Sequence, residues 1–83
     1  MKPKRVRLFI KPQCPWCREA ADWLAARGVA CETLDVIADA GAFREMLLLS
    51  NQTSAPVMEV DGHVLADFDT GQLEVFWKRL GLD

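Results

Sequence analysis

No uninterrupted apolar run in the 83-residue chain is longer than that at residues 46–49. A membrane-spanning helix needs about 20 apolar residues, so no membrane association is expected. Residues 1–11 carry charge without the apolar core of a secretory signal, and the chain reads as cytoplasmic. Cysteine is scarce and odd in number, at three, which argues against a secreted disulfide framework. It argues instead for thiols kept reduced, any disulfide being transient and chemical. Histidine occurs once, as His63 in a turn segment, and there is no second Cys-x-x-Cys, so the ligands of a tetrahedral zinc site are missing. Acids are absent from residues 1–18, which hold Lys2, Lys4, Arg5, Arg7, Lys11 and Arg18; all twelve acids lie in residues 19–83. That basic start does not make a nucleic-acid surface, because alternate residues of a strand point to opposite faces and the chain as a whole has a net charge of −2. It reads as a solvated end or as a means of steering acidic protein substrates.

What is present is the balance of a globular protein: 51% apolar and 27% charged residues. A chain of this length supports one core, so residues 1–83 are expected to form a single domain. Val6, Leu8 and Ile10 alternate with Arg7, Phe9 and Lys11, and the apolar Phe9 on the second face predicts a central strand covered on both sides. Residues 18–27 have helical spacing at Ala20, Trp23, Leu24 and Arg27, and Gly28 supplies a stop. Residues 29–36 read as a second strand. Asp39 can cap a second helix with Phe43, Met46, Leu47 and Ser50 on one face. After a polar break at residues 51–54, Ala55-Pro56 leads into a strand at residues 57–60, and Asp61-Gly62 turns it into a hairpin with residues 64–68. Asp69 or Thr70 can cap a last helix whose stripe is Leu73, Phe76, Trp77 and Leu80, with Gly81 at its end. The order βαβαββα predicts an α/β fold whose first two strands are parallel through a crossover helix.

The chemistry concentrates in Cys14-Pro15-Trp16-Cys17, at the turn from first strand to first helix. Proline suits the first helical position, where its missing N–H would be unpaired anyway. Cysteines three apart on a helix lie on one face, about 5–6 Å apart at Cβ, close enough to bridge. Cys14 falls at the cap position, facing unpaired N–H groups and the positive end of the helix dipole, which favour thiolate over thiol. Cys14 is therefore the expected nucleophile and Cys17, one turn deeper, the resolving thiol, with Lys11 adding positive charge nearby. Trp16 places a large ring beside the reactive thiol and is expected to shape a substrate groove. Cys31, in a predicted strand, reads as a small buried residue.

With these residues the chain resembles the glutaredoxins, within the thioredoxin-fold superfamily. The resemblance rests on Lys11, the Cys14-Pro15-Trp16-Cys17 motif, Thr53-Ser54-Ala55-Pro56-Val57 and Asp69-Thr70 in that order, and runs over residues 5–80. It implies a four-stranded mixed sheet with helices on both faces. It also implies a cis proline at Pro56 that faces the cysteines and leaves the Ala55 backbone free to pair with substrate. An X-Pro bond makes this accessible, since the trans preference there is only about 0.5–1 kcal/mol. For glutathione the resemblance implies a cradle of Lys11 and Gln52 at the glycine carboxylate, Ala55 at the cysteinyl residue, and Asp69 and Thr70 at the γ-glutamyl end. Ala66-Asp67 stand where many members have a Gly-Gly pair, and Trp16 where tyrosine is frequent.

The expected activity is thiol-disulfide exchange on protein disulfides and glutathionylated proteins. Glutathione is the expected cosubstrate, with no bound cofactor, no metal and a monomeric state. Two alternatives stand beside it: a redoxin reduced by thioredoxin reductase, and a carrier of a [2Fe–2S] cluster held between two subunits through Cys14 and glutathione.

Overall fold

The computed structural model describes residues 2–82. Its elements run β1 (Val6–Ile10), α1 (Pro15–Ala26), β2 (Glu32–Asp35), α2 (Ala40–Ser50), β3 (Val57–Val60), β4 (His63–Ala66) and α3 (Thr70–Arg79). The four strands form one mixed sheet in the order β2-β1-β3-β4, with β1 parallel to β2 and antiparallel to β3, and β3 antiparallel to β4. Helices cover both faces, as the alternation in β1 requires. Val6 and Leu8 meet Met58 and Val60 beneath α1 and α3, with Ala20, Leu24, Leu73 and Trp77 closing that core. Phe9 and Val57 project to the other face, against Val36 and the α2 residues Ala42 and Met46. Each large apolar side chain buried in this way contributes about 1.5–3 kcal/mol.

The parallel pair is shorter than the apolar pattern suggests, because β2 begins at Glu32 rather than at residue 29. The reason lies at the end of α1. The backbone N–H groups of Arg27 and Val29 both return to the carbonyl of Leu24, and that of Gly28 to Ala25, so this stretch closes the helix and is not free to pair with β1. Gly28 takes φ +68°, the left-handed conformation favoured at such an end. In α2, Asp39 is the cap, accepting from the N–H groups of Gly41 and Ala42 at 2.9 and 3.2 Å. Its inward face is Ala42 and Met46, while Leu47 is 39% exposed. The Asp61-Gly62 turn has φ +49° and +90°, as a two-residue hairpin loop of the primed type demands. The Asp61 carboxylate also accepts from the backbone N–H groups of Lys4 and Arg5, tying the start of the chain to the hairpin.

Arg7 departs from its neighbours in the basic start. It is 9% exposed, on the α2 face of the sheet. Its Nε donates to Glu59 Oε1 at 2.7 Å, across the β1–β3 pair, and its Nη1 donates to Glu45 of α2. Burial works against its charge, but hydrogen bonds and attraction to Glu59 and Glu45 outweigh it and hold its pKa above the ordinary value. Arg7 is thus a link between sheet and helix, unavailable for steering a partner.

Candidate active site

Gln13, at φ +57°, turns the chain from β1 into α1. Cys14 is the N-cap, in extended conformation, and its Sγ accepts from the backbone N–H of Cys17 at 3.2 Å. Pro15 opens the helix without spending a donor. The two cysteines are joined as a disulfide with their Cα atoms 5.2 Å apart. Burial separates them: Cys17 is 3% exposed, whereas Cys14 is half-buried.

Strand register brings the remaining pieces to this end of the sheet. Phe9 pairs with Val57, so the next step sets Pro56 beside Ile10, just ahead of the turn to Cys14. The Ala55–Pro56 bond is cis, Pro56 is fully buried and Ala55 half-buried. Across β3 and β4 the pairing of Val57 with Ala66 continues into a bond from Asp67 N–H to the Pro56 carbonyl at 2.9 Å. Asp67 holds φ +52°, a left-handed conformation at the position where many family members have glycine. Asp69 then caps α3, its Oδ1 accepting from Gln72 N–H at 2.8 Å while Gln72 Oε1 accepts from Asp69 N–H at 3.0 Å. Thr70 is the first helical residue rather than the cap.

Two depressions flank the disulfide. A cleft of about 660 Å³ runs between α1 and β2 and is lined by both cysteines, Lys11, Arg18, Ala21 and Thr33. A hollow of about 190 Å³ lies between Trp16, Asp67, Phe68, Asp69 and Gln72. Their charges are opposite: the cleft has two cations and no acid, the hollow two acids and no cation. Of the residues expected from sequence, Lys11 meets the two cysteines in the cleft, and Trp16, 53% exposed, meets Asp69 in the hollow. Gln52 and Thr70 line neither. The Gln52 Nε2 is buried without a hydrogen-bond partner among the described residues.

Arg18, Thr33, Phe68 and Gln72 were not anticipated, and Asp67 was singled out only as standing where many members have glycine. Arg18 had a signal, being four residues after Cys14 and so on its helical face. Gln72 had one too, three residues after an acidic cap, the spacing of a capping box. Cys31 is half-buried at the edge of the α1–α3 core, and burial pushes its thiol pKa up against a lowering hydrogen bond with Thr33. No cluster of three or more metal-ligating side chains occurs among the described residues, and no helix there is long and apolar enough to cross a membrane.

A mixed four-stranded sheet flanked by three helices, with a Cys-x-x-Cys pair capping the first of them, defines a thioredoxin-like fold built for thiol chemistry. The chain belongs to the glutaredoxin family of thiol oxidoreductases, whose family model matches residues 6–65. Glutaredoxin 3 of Escherichia coli strain K12 is 30% identical over 78 residues, which cover 94% of this chain and 92% of that protein. An uncharacterised glutaredoxin-like 8.6 kDa protein in the rubredoxin operon of Clostridium pasteurianum is 26% identical over 69 residues, 83% of this chain and 92% of that one. Among solved structures, a mutant of the thioredoxin-like protein BC3987 superposes with a TM-score of 0.83 at 31% identity, covering 96% of this chain and 99% of that one. The glutaredoxin of Archaeoglobus fulgidus shares the fold, with a TM-score of 0.76 at 17% identity over 86% of this chain and 83% of that one.

Proposed function

We propose that the protein reduces protein disulfides and glutathione mixed disulfides, with glutathione as reductant. The observation that carries this reading is the asymmetry of the cysteine pair. One sulfur is half-buried at a helix N-cap with an N–H donor at 3.2 Å, and its partner is shielded one turn deeper. Such a donor and the dipole behind it stabilise negative charge on Cys14. On a glutathionylated protein, the Cys14 thiolate attacks the glutathione sulfur and the protein thiolate leaves. A second glutathione thiolate then attacks that sulfur, releasing oxidised glutathione and regenerating the Cys14 thiolate. On a protein disulfide, Cys14 forms a mixed disulfide and releases one substrate thiol. Cys17, deprotonated, then attacks the Cys14 sulfur, releases the second thiol and leaves the Cys14–Cys17 disulfide, which two glutathiones reduce.

The charges flanking the disulfide support glutathione as the small partner. Its glycine carboxylate suits Lys11 and Arg18, and its γ-glutamyl ammonium suits Asp69, with Trp16 as a wall and the Ala55 backbone, ahead of Pro56, as the pairing edge. Gln52 and Thr70, which line neither depression, remain candidate contacts. The protein is proposed to act as a monomer in the cytoplasm, supporting redox homeostasis.

The test is glutathione-coupled reduction of a small glutathione mixed disulfide. Cys14→Ser abolishes turnover, and Cys17→Ser retains deglutathionylation while losing reduction of protein disulfides. Equal loss in both variants refutes the route through Cys14 alone. A second reading, reduction by thioredoxin reductase, is favoured by one feature, the Asp67 side chain in the hollow where a glycine would leave room for glutathione. Reduction of the oxidised protein by reductase and nicotinamide cofactor, with none by glutathione, selects it.

A further inference from the structure

The hollow beside Trp16 continues past Asp69. Asp69 and Gln72 also line a longer groove of about 480 Å³, which follows α3 past Val75 and Phe76 to Arg79, with Leu65 of β4 at its side. Gln72, Val75, Phe76 and Arg79 recur at intervals of three and four residues and so form one stripe of the helix, beside the Leu73 and Trp77 stripe that enters the core. Val75 is 53% exposed, an apolar side chain in the open middle of this stripe. β4 is an edge strand, so nothing in the sheet covers that side.

Charge along the groove is ordered. Asp67 and Asp69 lie at the end near the disulfide, apolar side chains in the middle, and Arg79 at the far end. We propose that this groove holds an extended segment of the disulfide-bearing protein substrate, with a base near the reacting cysteine, then an apolar residue, then an acid. The inference rests on the exchange activity proposed above and names a second determinant of its substrates, one that glutathione alone does not reach. A helix rise of about 1.5 Å per residue sets Asp69 and Arg79 about 15 Å apart, which an extended chain at about 3.3 Å per residue spans in about four to five residues. The base and the acid of the substrate are therefore four or five positions apart, with the apolar residue between them against Val75 and Phe76.

The test uses the full chain and synthetic peptides closed by an intramolecular disulfide, on which no glutathione occupies the hollow at Asp67 and Asp69 when Cys14 attacks. One set places lysine, leucine and glutamate in that order and spacing outward from the disulfide, on either side of it; the other exchanges the lysine and glutamate. The matched set is reduced with a kcat/KM about fivefold above the exchanged set, the size of two exposed ion pairs. Arg79→Glu erases the preference and regains it for a peptide whose distal glutamate is replaced by lysine, and Val75→Glu lowers kcat/KM for both sets. Both variants turn over the mixed disulfide of glutathione and 2-mercaptoethanol at the wild-type rate. Equal rates for the two peptide sets overturn the proposal, as does an equal loss on the small disulfide. So does a wild-type dimer that Val75→Glu dissociates in sedimentation equilibrium, which would give the stripe to a second copy of the chain. Failure to turn over any peptide or the small disulfide sinks the underlying activity as well, and is told apart by that small-disulfide control.

Discussion

Asp69 caps α3 and, in the function proposed above, also binds the substrate ammonium, two roles that a single substitution can separate. Its carboxylate caps α3 through the 2.8 Å bond from Gln72 N–H, reciprocated by Gln72 Oε1 at 3.0 Å, and it supplies one of the two negative charges of the hollow. Asp69→Asn keeps an acceptor oxygen in the same place and loses the charge. The cost to stability is then the interaction of a carboxylate with the helix dipole, about 0.3–1 kcal/mol. Asp69→Ala loses the charge and the cap together, which adds about 1 kcal/mol. Both variants lose the same attraction for the substrate ammonium. At an exposed site that attraction is about 0.2–1 kcal/mol, so KM rises by at most about fivefold, and by the same factor in each. Urea denaturation should therefore rank wild type, Asn and Ala in three steps, while KM for a glutathione mixed disulfide falls into two classes, wild type against both variants. A wild-type KM in Asp69→Asn would show that Asp69 is a cap and nothing more. A KM that tracks stability through all three proteins would refute the separation of roles.

The remaining predictions concern the two groups whose environment shifts their titration or charge. Burial raises the Cys31 thiol pKa in the folded chain, so as pH rises past about 9.0 the unfolded chain releases its proton first, and stability falls with pH. A denaturation series from neutral to alkaline pH should show that fall in the wild type and a flatter profile in Cys31→Ala; identical profiles contradict the assignment. In the Arg7 pair, side chains are 10% exposed for Arg7 and 17% for Glu59. Glu59→Gln alone should cost about 2–3 kcal/mol, between the values of exposed and fully buried pairs. Arg7→Met with Glu59→Leu should cost less than the sum of the single changes by about 1 kcal/mol or more, and additivity in the double-mutant cycle would mean the pair is not coupled.

The sequence made legible whatever depends on local periodicity or on one motif. The seven elements, the two-faced central strand, the hairpin at Asp61-Gly62 and the cap at Cys14 follow from alternation, helical spacing and turn chemistry. The start of β2 was not legible, because Val29 and Cys31 look like strand residues, and only the bond from Val29 N–H to the Leu24 carbonyl shows that Val29 belongs to the end of α1. Arg7 was misplaced among the solvated bases for a related reason. Its partners, Glu45 and Glu59, are remote in sequence, and nothing near residue 7 announces them. The site was legible at its centre, Lys11, Cys14 and Cys17, and at Trp16 and Asp69. Its flanks, Thr33 on the one side and Phe68 on the other, enter through tertiary packing that a linear pattern does not encode.

That packing also explains why the site is held so far from chance. The cysteine turn follows β1, the cis proline precedes β3, and the acids of the hollow follow β4, three segments brought together by strand register. A slip of one residue between β1 and β3 would take Pro56 away from Ile10. It would also turn Met58 and Val60 out of the core beneath α1 and α3 and bring the charged Glu59 into it, since neighbouring strand residues face opposite ways. The second consequence is the costly one, because Met58 and Val60 are fully buried and Glu59 is paired with Arg7 on the other face. The apolar pattern that fixes the core therefore also fixes Ala55-Pro56 beside the end of β1, just ahead of the cysteine turn. The place of the cis proline ahead of Cys14 thus follows from the same register that keeps Met58 and Val60 in the core.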